Sequence, residues 1–421
     1  MLVYKFGGAS VKDASGIRNL CSIVSGTDAR LFVVVSAMGK TTNMLERVVQ
    51  TLFSGRRDEA MQLLESTVLR PHHAACSELG LDAECIASGV SGLREAVIRA
   101  SEGHGQQYDK VYDSIVSYGE VLSTLIVSSY LRACGQDAVW LDMRALLRTD
   151  STYREANVLH RESARLLGAA TAESHRIYVS QGFIGANSQG DATTLGREGS
   201  DYSAALVGNM LDAESVTIWK DVPGILNADP RVMPDAVLIP ELTYYDAVEL
   251  AYSGAQVIHP KTIRPLENKS IPLYVKPFAN PDARGTRISG EAHQPIGVPV
   301  VIERHEVVLI TIRPLDFAFV MEESLPHVFS VLQQHGLKVS LIQSSAVTVS
   351  IAVNASRRIS EAIDYLRASY RVSYNDGLTL LTIRQTNAEV ESRLAPKDGV
   401  LLEQRTRKTV KYLYMDNRPP R

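Results

Sequence analysis

Gln181–Arg231 reads QGFIGANSQGDATTLGREGSDYSAALVGNMLDAESVTIWKDVPGILNADPR, and its two polar loops bracket a helix and a strand. The first loop is built on Gly190, Gly196 and Gly199, and the second runs from Asp221 to Arg231. Between them, Ala204, Ala205, Leu206 and Val207 suit a packed face, so Ser200–Leu211 is predicted helical, with Ser200 or Asp201 as its cap. Val216–Trp219 is apolar and β-branched and predicts a strand. A loop of Gly, Thr, Arg and Ser that feeds a helix N-terminus suits an anion, because free N–H groups and the helix dipole point outward there. Arg197 adds a fork matched to a carboxylate or phosphate. Alone, both loops read equally well as ordinary surface turns of an α/β domain.

Working outward, Leu2–Phe6, Ala138–Asp142, Ile177–Phe183 and Ile271–Val275 also predict strands. Leu31–Ser36 (LFVVVS) is a continuous apolar run of the kind buried on both faces of a parallel sheet. A helix is expected over Asp13–Val24. Residues 44 to 135 read as mostly helical, with breaks near Arg70-Pro71 and Gly103-His104-Gly105. Strands alternating with helices predict a mainly parallel α/β sheet with helices on both faces. Ligands bind such sheets beyond the carboxyl ends of the strands. Every polar glycine loop found here follows a strand.

Turn-rich segments at Asn280–Thr286 and Gln294–Pro299 mark a domain boundary near residue 295. Beyond it the order changes to β-α-β-β-α-β. Strands are expected at Val307–Ile312, Leu337–Ile342, Ala346–Val353 and Tyr370–Tyr374, and helices at Leu325–Gln334 and Ile359–Ser369. VVLITIR at Val307–Arg313 returns as LTLLTIR at Leu378–Arg384, an echo that suggests a second, shorter copy. Two apolar strands can also look alike by chance.

The chain has 421 residues, enough for two or three domains, and a net charge of −3 with no strongly basic run. Electrostatics therefore gives no reason to propose nucleic acid. Cys21, Cys76, Cys85 and Cys134 form no CxxC pair. They and His72, His73 and His259 show no metal-ligand spacing, so no metal site is expected. No apolar run approaches the ~20 residues that cross a bilayer. No leader precedes LVYKFGG. A cytoplasmic protein without membrane contact is the expectation.

KFGGAS (Lys5–Ser10) places a cation two residues before a glycine pair at a strand end, where Gly7 and Gly8 bring backbone N–H groups to a phosphate. The alternative is a β-turn beside a solvated lysine. Glu120 in SYGEVLST reads either as a helix-surface carboxylate or as a grip for a substrate ammonium. Asp201 reads as a cap or as a group orienting lysines, and Arg231 as a surface charge or a phosphate contact.

Six blocks in series resemble aspartate kinase, of the amino acid kinase family. They are KFGGASV at Lys5–Val11, VVVSAMGKTTNML at Val33–Leu45, SYGEVLST at Ser117–Thr124, Ser180–Leu206, Ile218–Arg231, and GAQVIHPKTI at Gly254–Ile263. The tail resembles the regulatory ACT-domain pair of that family. The resemblance implies an amino acid kinase fold over residues 1–295 and an ACT-type region over 296–421. One full ACT unit would lie at about 315–376, with a truncated second. It also implies phosphoryl transfer from ATP to the side-chain carboxylate of L-aspartate, with Mg²⁺ arriving on ATP. By resemblance, Lys5 neutralises the transferring phosphoryl group and Asp201 orients the lysines. Arg197 and Glu120 hold the α-carboxylate and α-ammonium of aspartate, and Ser36 and Thr42 hold the reacting carboxylate. Gly7, Gly8, Lys220, Asp221, Arg231 and Gln256 line the nucleotide side. Ser324 and Ser340 are the effector-side candidates for an amino acid, and a homodimer through the tail is implied.

Three departures stand out. The family's GRGGSD is GREGSD here, and Glu198 is expected to point outward, away from an anion site. GAKVLHP is GAQVIHP, so Lys220 or Lys261 is expected to supply the charge missing at Gln256. The effector segment VDLIxxSE is VSLIQSSA, with Ser340 and Ala346 in place of two acids, which weakens the expectation of lysine inhibition. No dehydrogenase domain is expected to follow. The rivals are a kinase of the same fold acting on acetylglutamate or uridylate, and a catalytically silent amino acid sensor.

Overall fold

The structure is a computed structural model that describes residues 1–103, 105, 107–255, 258–292, 296–315 and 324–416. It divides into two compact units. The first comprises Met1–Ile225, Leu238–Val248 and Val257–His293, and the second Leu226–Val237, Glu249–Gln256 and Gln294–Arg421. The tail expected from residue 296 thus also takes in two earlier segments. One is fastened by its backbone and side chain: Val301 N–H donates to Asn227 O at 2.7 Å, and Asn227 Nδ2 donates to Pro299 O at 2.9 Å.

The first unit is built on β1 (Leu2–Phe6), β2 (Leu31–Val35), β3 (Ala138–Leu141), β4 (Ile177–Gln181), β5 (Ile184–Ala186), β6 (Ala192–Thr194), β7 (Ser215–Lys220), β8 (Glu241–Thr243), β9 (Leu273–Pro277) and β10 (Thr286–Ser289). Eight of them form one sheet in the order β3-β4-β2-β1-β7-β9-β10-β8. It is parallel from β3 to β9, and β10 runs antiparallel to β9. The β5–β6 hairpin stands apart. Every residue of β2 is buried, as its unbroken apolar run requires.

Chain order reverses at β1, which has β2 on one side and β7 on the other. The carboxyl ends of these strands flank the crevice where such sheets bind ligands. Alternation along β1 decides what meets it. Phe6 points to the face where it stacks on Trp219, ring centroids 6.1 Å apart, and Lys5 points to the opposite face.

Helices Tyr108–Val116 and Tyr118–Ala133 follow one another directly. Together they form a stretch of 26 residues that is long and apolar enough to cross a membrane, which corrects the expectation that no run approaches this length. In its most apolar window 72% is buried against the domain, as in a core helix. The break expected at Arg70-Pro71 is also absent. A π-helical turn, Glu65–Leu69, leads straight into helix Arg70–Glu78, and Pro71, which has no N–H to give, follows this interruption of the regular helical ladder.

The second unit holds β11 (Val300–Pro314), β12 (Val339–Ser344), β13 (Val349–Asn354), β14 (Tyr370–Arg384), β15 (Val400–Arg405) and β16 (Thr409–Met415) in one antiparallel sheet, ordered β12-β13-β11-β14-β16-β15. That order is palindromic. Val307–Arg313 lies between β13 and the first half of β14, while Leu378–Arg384 lies between β16 and the first half of β11. The echoed segments therefore occupy equivalent places in two ferredoxin-like halves. The first half carries helices Leu325–Gln334 and Ile359–Arg367. The second carries helix Ala388–Leu394 alone among the described residues.

Candidate active site

The site assembles where β1, β2 and β7 end. After β1 the chain turns at Gly7, whose carbonyl accepts from Ser10 N and Val11 N. Gly8 runs so close to the next loop that a Cβ would lie 2.7 Å from Ala37 O and 2.9 Å from Gly39 O. Only glycine fits there, and Gly39 N–H donates to Gly8 O at 3.0 Å, fastening the two loops together. The second loop carries half-buried Ser36. It ends at helix Thr41–Phe53, in whose first turn Thr42 lies.

Lys5 Nζ lies 2.6 Å from Asp201 Oδ1, and Lys220 Nζ lies 3.1 Å from Asp201 Oδ2. Asp201 is 3% exposed. Burial alone would raise its pKa, but the two ammonium groups outweigh burial and hold the carboxyl below its usual range. One carboxylate thus fixes two lysines that reach it from adjacent strands. The cap expected from Ser200 or Asp201 is not formed. Helix Gly199–Met210 begins at Glu198 without a side-chain cap, because Asp201 serves the lysines.

Glu120 is 3% exposed in the first turn of helix Tyr118–Ala133. Its Oε1 accepts from Ala37 N–H at 3.3 Å, and its Oε2 is buried with no partner among the described residues. Burial pushes its pKa up to about 8, against the pull of the Ala37 amide and Lys5. Beneath it the polar groups are satisfied: Ser123 Oγ donates to Ser36 O at 2.8 Å, and Thr124 Oγ1 meets Gln181 Nε2 at 2.9 Å and Trp140 Nε1 at 3.0 Å. Glu120 Oε2 is therefore an unspent acceptor on a rigid support.

Glu198 corrects an expectation. It does not point away from the anion site. Its Oε2 is buried without a partner among the described residues, and burial raises its pKa, with Lys220 opposing the shift and Asp201 adding to it. The backbone there has φ 54° and ψ 28°, the left-handed conformation that favours glycine. Glu198→Gly should tighten ATP binding a few-fold in KM, roughly the ~0.5–1 kcal/mol of one partly screened charge. An unchanged or weaker KM for ATP in steady-state kinetics would contradict this.

Arg197 is exposed at the loop tip, and Asp221 is exposed just after β7. Arg231 belongs to the second unit, and its guanidinium is held by Asp229, with Nη2 2.6 Å from Oδ2. Gln256 lies outside the described residues. Lys261 is exposed in the first turn of helix Pro260–Glu267, whereas Lys220 is the lysine brought to Asp201. Ser324 is buried at the start of helix Leu325–Gln334. Ser340 is buried on β12, where its Oγ accepts from Arg304 Nη1.

Sequence reasoning missed Asp113. It is fully buried and accepts from Arg154 N at 2.9 Å, Thr194 N at 2.9 Å and Thr194 Oγ1 at 2.7 Å. Burial raises its pKa to about 6, despite those donors. It anchors β6, the strand that enters the GREGS loop. Its position on the buried face of an amphipathic helix was the one available signal.

Comparison with known proteins matches this geometry to a family. The chain is 32% identical over 400 residues to lysine-sensitive aspartokinase 3 of Escherichia coli, covering 91% of this chain and 86% of that protein. A family model described as the amino acid kinase family matches residues 1–277. The chain belongs to the aspartokinases of the amino acid kinase family. Its fold agrees with the crystal structure of E. coli aspartokinase III in complex with aspartate and ADP (R-state), at a TM-score of 0.83 and 29% identity, over 98% of this chain and 96% of that one. Against the chloroplastic bifunctional aspartokinase/homoserine dehydrogenase 2 of Arabidopsis thaliana, identity is 36% over 295 residues. There the match takes in 68% of this aspartokinase chain but 32% of that protein.

Proposed function

We propose that this protein transfers the γ-phosphoryl group of ATP to the side-chain carboxylate of L-aspartate, giving 4-phospho-L-aspartate. One observation carries the reading. A buried carboxylate oxygen with no partner among the described residues, Glu120 Oε2, sits at the strand ends where Asp201 fixes two lysines. The first suits an ammonium, and the second suits a transferring phosphoryl group.

The acceptor carboxylate, with a pKa near ~3.9, is ionised at neutral pH and needs no general base. The obstacle is repulsion between two anions, so catalysis is positioning and charge stabilisation. Lys5 and Lys220 face the developing charge while Asp201 keeps them aimed. Glu120 and Arg197 hold the two α-groups, and Ser36 and Thr42 orient the reacting carboxylate. Gly7 and Gly8 admit the phosphates, with Asp221 assigned to the nucleotide side. Mg²⁺ arrives on ATP, held chiefly by phosphate oxygens and water.

With ATP and hydroxylamine, aspartate should yield the hydroxamate, while N-acetylaspartate, acetylglutamate and uridylate should yield no phosphorylated product. N-acetylaspartate reacting as well as aspartate would remove the ammonium-binding role of Glu120.

We assign residues 1–295 to catalysis, residues 296–421 to regulation, and the protein to the cytoplasm as a homodimer. The sheet ends in edge strands β12 and β15, whose unpaired backbone groups suit pairing with a second copy. The amino acid effector is placed at Ser324 and Ser340. The Arg304 guanidinium on Ser340 Oγ would oppose a ligand ammonium there. Lysine should therefore fail to inhibit initial rates at low millimolar concentration. Inhibition in that range would overturn this point.

A further inference from the structure

The second unit carries a group of charged side chains with no part in phosphoryl transfer. In the sheet register Ile302 pairs with Thr382, and Thr382 pairs with Lys411. Arg304 lies two residues along β11 from Ile302, and Arg384 two residues along β14 from Thr382, so all point to one face. Three cations thus surround Thr382. The residues between them, Leu381 and Ile383, belong to the apolar cluster on the opposite face.

Among the described residues, the Arg304 charge meets only neutral acceptors. Arg304 Nη1 donates to Ser340 Oγ and, at 3.3 Å, to Asn354 Oδ1, while its Nη2 donates to Tyr252 O at 2.7 Å. All three acceptors are neutral, and burial pushes the Arg304 pKa down. The Lys411 pKa is lowered too, by burial first, with Arg304 and Arg384 adding and Glu249 opposing. Glu249 is one carboxylate that serves the group, and its Oε2 lies 3.3 Å from Arg384 Nη1. At the centre, Thr382 is 1% exposed and its Oγ1 has no hydrogen-bond partner among the described residues. A buried hydroxyl left unpaired is destabilising, and like charges around it add to the penalty.

We propose that Arg304, Arg384, Lys411 and Thr382 form a binding site for a small anion bearing a carboxylate or phosphate group. Such an anion accepts from the Thr382 hydroxyl and offsets the surplus positive charge, and guanidinium groups match its planar or tetrahedral oxygens. The site lies wholly within the second unit and does not rest on the aspartate kinase reading.

The test uses the full chain in a buffer whose only small anion is chloride. Thermal unfolding is followed while inorganic phosphate is titrated in one arm and malonate in the other. Wild type and Lys5→Ala should both show a Tm that climbs with added anion. In Lys411→Met and Thr382→Val the half-maximal concentration should move up at least tenfold. Without added anion, Lys411→Met should unfold at or above the wild-type temperature, since removing the ammonium relieves repulsion from Arg304 and Arg384. A response to malonate alone identifies a carboxylate ligand, and a response to phosphate alone a phosphate ligand. Either supports the site. No Tm change in wild type with either anion, or a wild-type response in both Lys411→Met and Thr382→Val, overturns it. So does a response lost in Lys5→Ala, which would place the anion at the kinase centre. Should Lys411→Met unfold early, the nearly isosteric Thr382→Val decides.

Discussion

Lys5→Met should lower kcat by about 10²–10³-fold, the usual cost of removing one preorganised donor from a developing charge. The methionine keeps most of the buried stem volume, so the loss reports charge rather than packing. KM for aspartate should move little, because Glu120 and Arg197 hold its α-groups. Asp201 would keep Lys220 at Oδ2 but lose the closer ammonium at 2.6 Å. A variant that remains folded by circular dichroism and retains more than a tenth of wild-type kcat would remove Lys5 from the centre of the chemistry.

Glu120→Gln should raise KM for aspartate by one to two orders of magnitude, in line with the ~2–3 kcal/mol of a buried charge-assisted hydrogen bond. In the free protein the Glu120 carboxyl titrates near 8, so it is largely protonated at neutral pH. An ammonium bound at Oε2 favours its ionised form. Aspartate binding at pH 7 should therefore release a proton, visible by calorimetry in buffers of different ionisation enthalpy, and the glutamine variant should abolish that release. Stability gives a second sign. The unfolded chain loses this proton near its ordinary value of 4.5 and the folded chain only near 8, so native stability falls as pH rises between the two. Glu120→Gln should stabilise the fold at pH 8 and leave it unchanged near pH 4.5. A variant less stable than wild type at pH 8 would mean that the carboxylate has a structural partner.

Much of this was legible in the sequence, for identifiable reasons. LFVVV at Leu31–Val35 is apolar throughout because neighbouring strands and helices bury both its faces. KFGGAS announces its loop because Gly8 leaves no room for a Cβ. The echo between Val307–Arg313 and Leu378–Arg384 reflects equivalent places in a palindromic sheet. The direction of Glu198 was not legible. It depends on a left-handed backbone turn that residue types alone do not specify. Asp113 was hidden because its partners, Arg154 and Thr194, are distant in the chain. The long apolar stretch Tyr108–Ala133 escaped notice because Asp, Lys and Glu interrupt it, and only the fold joins its two helices end to end.

β11 and β14 each run for 15 residues through both halves of the second unit's sheet. Neither half has a full complement of strands without borrowing from the other. Backbone amides along Val300–Pro314 and Tyr370–Arg384 consequently share one opening event, and the pair of halves behaves as a single cooperative unit. A change in strand twist at one end is carried to the other through continuous covalent backbone rather than through a contact that could slip.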